Sequence, residues 1–200
     1  MSVAYSRAEA MHPEDTAVAR SLLGIANLPT VVAIGPFDDL AHAHHLAAAF
    51  TVLQRVRRSQ LVLLGTGTQR AAVRRAVPGN GGTRVHMLYD SSRALWSNVM
   101  AAADVVVLSA ASGAGRLLDV MAAGRAVVAP LDPATVRLIV PRSAGLVYPP
   151  GDVHALTAAI SRLLTTPEFR HQMATRASEA ARRHRLERIR YHEKRERERT

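Results

Sequence analysis

The residues whose type and order suit a ligand are Ser109, Ser112, Gly113, Ala114 and Gly115, in the run Ser109-Ala-Ala-Ser112-Gly113-Ala-Gly115. The run follows the apolar, β-branched stretch DVVVLS at Asp104–Ser109 and leads into residues at helical spacing, Ala114, Leu117, Leu118 and Met121. Small residues let a ligand reach the backbone, and the first N–H groups of a helix, reinforced by its dipole, suit a diphosphate. A glycine-rich strand-to-helix turn also serves plain packing, so spacing alone leaves both readings open.

A second such turn, Gly65-Thr66-Gly67, follows an earlier apolar run. Neither turn completes G-x-G-x-x-G, because Arg70 and Leu118 stand at the last glycine positions, and no acid follows to hold a ribose. A nicotinamide or flavin site is therefore disfavoured, and no cofactor is expected. His42, His44 and His45 lie near Asp38 and Asp39, with His42 and His45 one helical turn apart. Two imidazoles without a firm third ligand read as helix-surface residues, and no metal site is expected. The absence of cysteine excludes disulfides and thiolate sites.

The elements that position these residues alternate. Thr30–Gly35, Leu61–Gly65, Arg84–Leu88, Asp104–Ser109, Ala126–Pro130 and Gly145–Tyr148 read as strands buried on both faces. Between them lie Ala43, Ala47, Phe50 and Leu53; Leu95, Val99 and Ala102; the set from Ala114 to Met121; and Val153, Leu156, Ile160 and Leu163, all at helical spacing. Asp38 or Asp39, Ser91 or Ser92, Ser112 and Asp152 stand where N-caps belong, Asp15 is placed to cap a first helix carrying Val18, Leu22 and Leu23, and Gly79, Gly81 and Gly82 mark a turn. The expected fold is α/β, a doubly wound, Rossmann-like parallel sheet of about six strands with a long C-terminal helix. Residues 1–17 read as a linker, 18–166 as the Rossmann-like domain, and 167–200 as the C-terminal helix and basic tail. Ligands of such sheets bind beyond the strand ends where strand order reverses, which places Gly35 opposite the Ser109–Gly115 turn.

Composition narrows the partners. Hydrophobic residues are 48% of the chain but aromatics only 4%, so Ala, Val and Leu must build the core. Met121 and Trp96 read as core residues. The net charge is +10, and Arg182–Arg199 holds nine Lys or Arg against four Glu, half of that surplus. Such a tail is first a solvated helix with i, i+4 pairs such as Glu193–Arg197; its further reading is contact with nucleic acid or an anionic membrane surface, with Tyr191 its one aromatic. Met1–Pro13 has no apolar signal region and no apolar run reaches the roughly 20 residues that span a bilayer, so a cytoplasmic protein is expected.

Four blocks in series resemble the C-terminal, nucleotide-sugar-binding half of retaining GT-B glycosyltransferases of family 4, from about Val18 to Arg182. They are the strand ending in Gly35, LVLLGTG at Leu61–Gly67, ADVVVLSAASGAGRLLDVMAAGRAVVAP at Ala103–Pro130, and AGLVYPPGDVHALTAAISRLL at Ala144–Leu164. The resemblance implies a nucleoside diphosphate sugar as donor substrate, held by Gly35, Ser109, Ser112, Gly113, Ala114, Gly115 and Asp119. Asp119 matches the second acid of the family's E-x7-E motif, which binds the ribose; an acid early in a helix also favours the helix dipole. The first acid falls on Ala111, or on Ser112 with one deletion, and the diphosphate cations fall on Pro36 and Ala41, with His42 adjacent as a substitute cation. A further acid common after the fifth strand is replaced by Arg137, with Asp132 too early in the loop to match. Each lost charge-assisted contact is worth roughly 1.5–3 kcal/mol. The resemblance thus implies a donor domain without an assigned catalytic residue, inactive alone and completed by a partner chain supplying an acceptor half. The alternative is a non-catalytic interaction module, a pseudoenzyme.

Overall fold

A computed structural model describes residues 13–77, 84–89 and 92–197. The chain order is α1 (Pro13–Leu22), β1 (Thr30–Ile34), α2 (Leu40–Val56), β2 (Gln60–Leu64), α3 (Arg70–Ala76), β3 (Val85–Leu88), α4 (Arg93–Ala102), β4 (Val105–Leu108), α5 (Gly113–Ala122), β5 (Ala126–Pro130), α6 (Pro133–Leu138), β6 (Leu146–Tyr148), α7 (Val153–Thr165) and α8 (Pro167–Arg197). All six strands pair in parallel in the order β3-β2-β1-β4-β5-β6. Strand order therefore reverses between β1 and β4, as a doubly wound sheet requires.

Alternation along each strand divides the core between the two sheet faces. Val31 and Ala33 point to the side covered by α2, α3 and α7, and Val32 and Ile34 to the side covered by α1, α4, α5 and α8. The apolar sets expected on α2 and α7 face the sheet as read, with Ala43, Ala47, Phe50, Leu53, Leu156, Ile160 and Leu163 all buried. Met121 is buried, but Trp96 is only partly so. Of the residues expected on the inner face of α1, Val18 and Leu22 are exposed, while Leu23, just past the helix, packs against the core beside the buried Ala19 and Ile25. Asp15 does not cap that helix, which starts at Pro13. The caps of α2, α4 and α7 are Asp39, Ser92 and Asp152, each accepting from a helix N–H. Ser91 and the turn at Gly79, Gly81 and Gly82 lie outside the described residues.

The lower end of the sheet is tied by one carboxylate. Asp104 Oδ2 accepts from Thr30 N at 2.7 Å and from Arg20 Nη2 at 2.7 Å, and Arg170 Nη2 lies 3.5 Å from Oδ1. Thr30 O accepts in return from Asp104 N at 2.9 Å. The group joins α1, the starts of β1 and β4, and α8. Breaking a largely buried pair strands the remaining charge at a cost of roughly 3–5 kcal/mol. Asp104→Ala is expected to lower unfolding free energy by about 3 kcal/mol, and Asp104→Asn by less, since an amide oxygen still accepts from Thr30. Urea denaturation checks this, and equal losses for the two variants would refute the charge-based account.

Candidate functional site

At the reversal point β1 and β4 run in register from Val31↔Val105 to Ile34↔Leu108. Ser109 N donates to Ile34 O at 3.2 Å, and the chain then makes a single 3-10 turn, Ala110–Ser112, before α5. The Ser112 hydroxyl does not cap α5. It accepts from Ser109 N at 3.2 Å, lies 3.0 Å from the Ser109 hydroxyl, and sits 3.2 Å from Ile34 O and 3.3 Å from Gly35 O. Gly35 and Ser112 are therefore in hydrogen-bonding contact, and no groove separates them.

α5 begins with no side-chain cap, and the first N–H groups of a helix have no partner within it. Gly113, at φ +70, takes a conformation that other residues adopt at a cost, and an added Cβ at Gly113 or Gly115 would meet nothing within 4 Å. Gly113, Gly115, Arg116 and Asp119 are exposed, with Ser112 and Ala114 half-buried, while Leu117, Val120 and Met121 face the core. Gly115, Arg116 and Asp119 consequently form one stripe along the outer side of α5. Arg116 Nη1 lies 3.7 Å from Asp119 Oδ2, and its guanidinium stands 4.8 Å from the centre of the Trp96 ring. Although half of the Asp119 side chain is exposed, partial burial pushes its carboxyl above the ordinary aspartate value, against the pull of Arg116.

Gly35 plays a different part from the one expected. The space its missing side chain leaves is taken by the Phe37 ring, whose nearest atom is 2.7 Å from where a Cβ would stand. Phe37 is fully buried, and its backbone clasps the second glycine turn: Phe37 N donates to Thr66 O at 2.9 Å and Gln69 N to Phe37 O at 2.8 Å. Asp38 accepts from Thr68 N at 2.9 Å. A Cβ on Gly67 would overlap the Phe37 backbone. The turn Gly65-Thr66-Gly67 is thus explained by close packing of two loops. Arg70, at the position of a third glycine, turns its guanidinium to Leu88 O at 3.2 Å and lies under the Tyr89 ring.

Two short helices, α3 and α6, were not legible as helices, and α6 borders the site. Asp132 caps α6 by accepting from Ala134 N and Thr135 N, and Thr135 Oγ1 accepts from Asp132 N. Asp-Pro-x-Thr is a cap signal that could have been read from sequence. Between the starts of α5 and α6 lies a recess bounded by Ser109, Ser112, Gly113, Pro130, Asp132 and Thr135. At about 10 Å³ it admits about one water molecule. A larger ligand at this recess lies on the open surface above it.

The family model for glycosyl transferases group 1 matches residues 28–166. The chain belongs to that family. Solved structures agree on the fold. Sucrose-phosphate synthase of Thermosynechococcus elongatus shares 24% identity at a TM-score of 0.66, covering 83% of this chain and 44% of its own. HepE of Anabaena, solved with UDP and glucose, shares 21% at 0.71, covering 85% and 48%. A glycosyltransferase of Rickettsia africae shares 14% at 0.69, covering 86% and 48%. The chain thus spans about half the length of these glycosyltransferases, and its sheet is the Rossmann-like layer of the GT-B fold. No curated protein matches it.

The remaining site candidates are on α2. Ala41 and His42 stand in the first turn of α2, whose N-terminus Asp39 already caps. Burial holds the His42 imidazole below its ordinary value of 6.5, with Asp39 pulling it up and His45 adding to the depression. Among the described residues no three His, Cys, Asp or Glu are grouped as metal ligands, and no helix is long and apolar enough to cross a membrane. His86 is likewise depressed by burial. Because the unfolded chain takes up these protons first, the two histidines contribute full stability above pH 6.5, and that contribution is lost as pH falls toward their folded values. His42→Gln is expected to make the fall in stability below pH 6.5 shallower than in the wild type. Equal slopes in denaturation series from pH 7 to about 5 would show that His42 is not held neutral.

Proposed function

We propose that the chain is a donor-binding domain for a nucleoside diphosphate or its sugar. The observation that carries this reading is the uncapped start of α5, with Gly113 and Gly115 open to solvent, at the reversal point of a group 1 glycosyltransferase sheet. The diphosphate accepts from the backbone N–H groups of Gly113, Ala114 and Gly115, where the helix dipole favours negative charge. Ser109 and Ser112 hold the turn in place through their hydroxyls. Asp119 accepts from the ribose hydroxyls further along the same stripe. HepE, with the same fold, holds UDP and glucose, which supports the ligand class.

Transfer is a separate matter. The position of the family's first acid is occupied by Ala111 or by Ser112, whose hydroxyl is spent on Ile34, Gly35 and Ser109. The positions of its diphosphate cations hold Pro36, in the loop clasped against Thr66, and Ala41, in the first turn of α2. These observations favour binding without transfer by this domain alone, with an acceptor-binding half coming from a partner chain or from elsewhere in its own protein. They also keep a second reading in play, a pseudoenzyme that serves as an interaction module.

Thermal denaturation with UDP, GDP, ADP and their sugars separates the two. A ligand at a hundred times its Kd stabilises by about 2.7 kcal/mol, so the donor reading predicts a clear rise in Tm with at least one nucleotide. Asp119→Ala is expected to weaken that ligand roughly tenfold, the loss of one hydrogen bond to a charged group. No rise at millimolar concentrations of every nucleotide leaves the interaction module.

A further inference from the structure

We infer that the outer half of α8, from Arg182 onward, is a surface for duplex DNA, held through its phosphates. The inference does not rest on the donor-site reading. α8 runs from Pro167 to Arg197, and the last buried residue described on it is Ala181. Except for the half-buried His184, the side chains described beyond that point are exposed. Residues 182–197 carry eight Lys or Arg against three Glu, and seven of the eight are Arg. Half of the net charge of +10 thus sits on roughly 24 Å of helix. Such a concentration of charge attracts a polyanion.

The distribution of the charge says which polyanion. At 3.6 residues per turn, Arg182, Arg183, Arg185, Arg188, Arg190 and Arg195 leave no arc wider than about 120° without a cation. A membrane meets a helix on one side and needs an apolar stripe there, with the cations opposite. Leu186 and Ile189 are the only large aliphatic residues in this half, each 45% exposed, and Arg182 falls between them around the helix. A helix that seats in a protein groove shows apolar anchors at i, i+3, i+4 and i+7. Here the places four before Leu186 and four after Ile189 hold Arg182 and Glu193. Cations on all sides match a groove walled by two rows of phosphates. The major groove of B-form DNA, about 12 Å wide, admits a helix whose diameter with side chains is about 10–12 Å, whereas the A-form RNA major groove is deep and narrow. Guanidinium groups also bind phosphate oxygens in pairs, which suits Arg in place of Lys. Contacts of this kind position a duplex without reading its sequence.

Fluorescence anisotropy with the full chain and a labelled DNA duplex of arbitrary sequence tests this. Contacts to about five phosphates predict a slope of log affinity on log salt near −4.5, a loss of roughly five hundredfold between 50 and 200 mM. Arg183→Gln, Arg188→Gln, Arg190→Gln and Arg195→Gln together keep a good helix former at each place. The combined variant should weaken binding at least roughly a hundredfold at 50 mM salt and make the slope shallower by about 3 to 4. Arg74→Gln with Arg75→Gln, exposed on α3, should stay within about threefold of wild type, since charges away from the contact are screened. Wild-type protein that leaves the duplex unbound at about 50 mM salt overturns the inference. Binding that survives the four substitutions also overturns it, because the DNA then lies elsewhere on the chain. Tighter binding to an RNA duplex, or to vesicles of phosphatidylserine and phosphatidylcholine in equal parts, shows that the partner is a different polyanion, and the inference fails.

Discussion

The pairing of Val31–Ile34 with Val105–Leu108 is the contact on which the candidate site depends. These strands are far apart in sequence, and parallel neighbours must be joined by crossovers, so their register is set by both ends of the ladder. At the lower end Thr30 and Asp104 exchange backbone and carboxylate hydrogen bonds. At the upper end Ser109 N closes the ladder onto Ile34 O, and the Ser112 hydroxyl, donating toward Ile34 O and Gly35 O, continues it by one more residue. A slip of one residue would reverse the faces of β4 and carry Ser112 away from β1. The start of α5 is therefore positioned by sheet geometry, with no need for a ligand to organise it.

That arrangement settles a competition between two uses of the first loop. A loop that brings cations to a diphosphate must stand away from its neighbours. Here Pro36, Phe37 and Asp38 are drawn onto the turn after β2: Phe37 is wholly buried, and both glycines of that turn are shaped around this segment. Fully burying a phenylalanine is worth roughly 1.5–3 kcal/mol, comparable to one charge-assisted contact with a phosphate. The loop thus gains in permanent packing about what it forgoes in ligand contacts.

Much of this was legible in the sequence, for reasons of period and composition. Strands buried on both faces are continuous apolar runs, and all six were visible within a residue at each end; four helices were visible through their repeating apolar faces. α3 and α6 escaped because helices this short carry too few turns to show a period, although Asp132-Pro133 was a readable cap. The expected inner face of α1 failed at Val18 and Leu22 because Ala19 and Arg20 face inward instead, the Arg buried through its contacts with Asp104 and Asn27. At the site, the small residues of the turn announced themselves, but Phe37 looked like loop filler. Nothing local says that a ring two residues after Gly35 folds back into the space that glycine leaves. The Trp96–Arg116 pair was equally hidden, since it joins residues on different helices that only the tertiary fold brings together.

The long C-terminal helix bears on the site through its first half alone. Met173, Ala177, Ala180 and Ala181 are buried, and the last three are small enough to let α8 lie close against α5 and β5. Beyond Ala181 the described side chains are exposed or half-buried, and the helix continues as an extension of its docked part, where propagation costs far less than nucleation. Arg170 fastens the docked part to Asp104, and Arg170 Nη1 also reaches Leu163 O at 3.1 Å. α5 is consequently held from two sides, by the sheet under Leu117, Val120 and Met121 and by α8 behind. A helix clamped in this way keeps its outer stripe in fixed geometry, and that matters most for a shallow site. At a recess that admits about one water molecule, affinity must come from a few groups held in place, because each group that had to be ordered on binding would subtract from what it contributes.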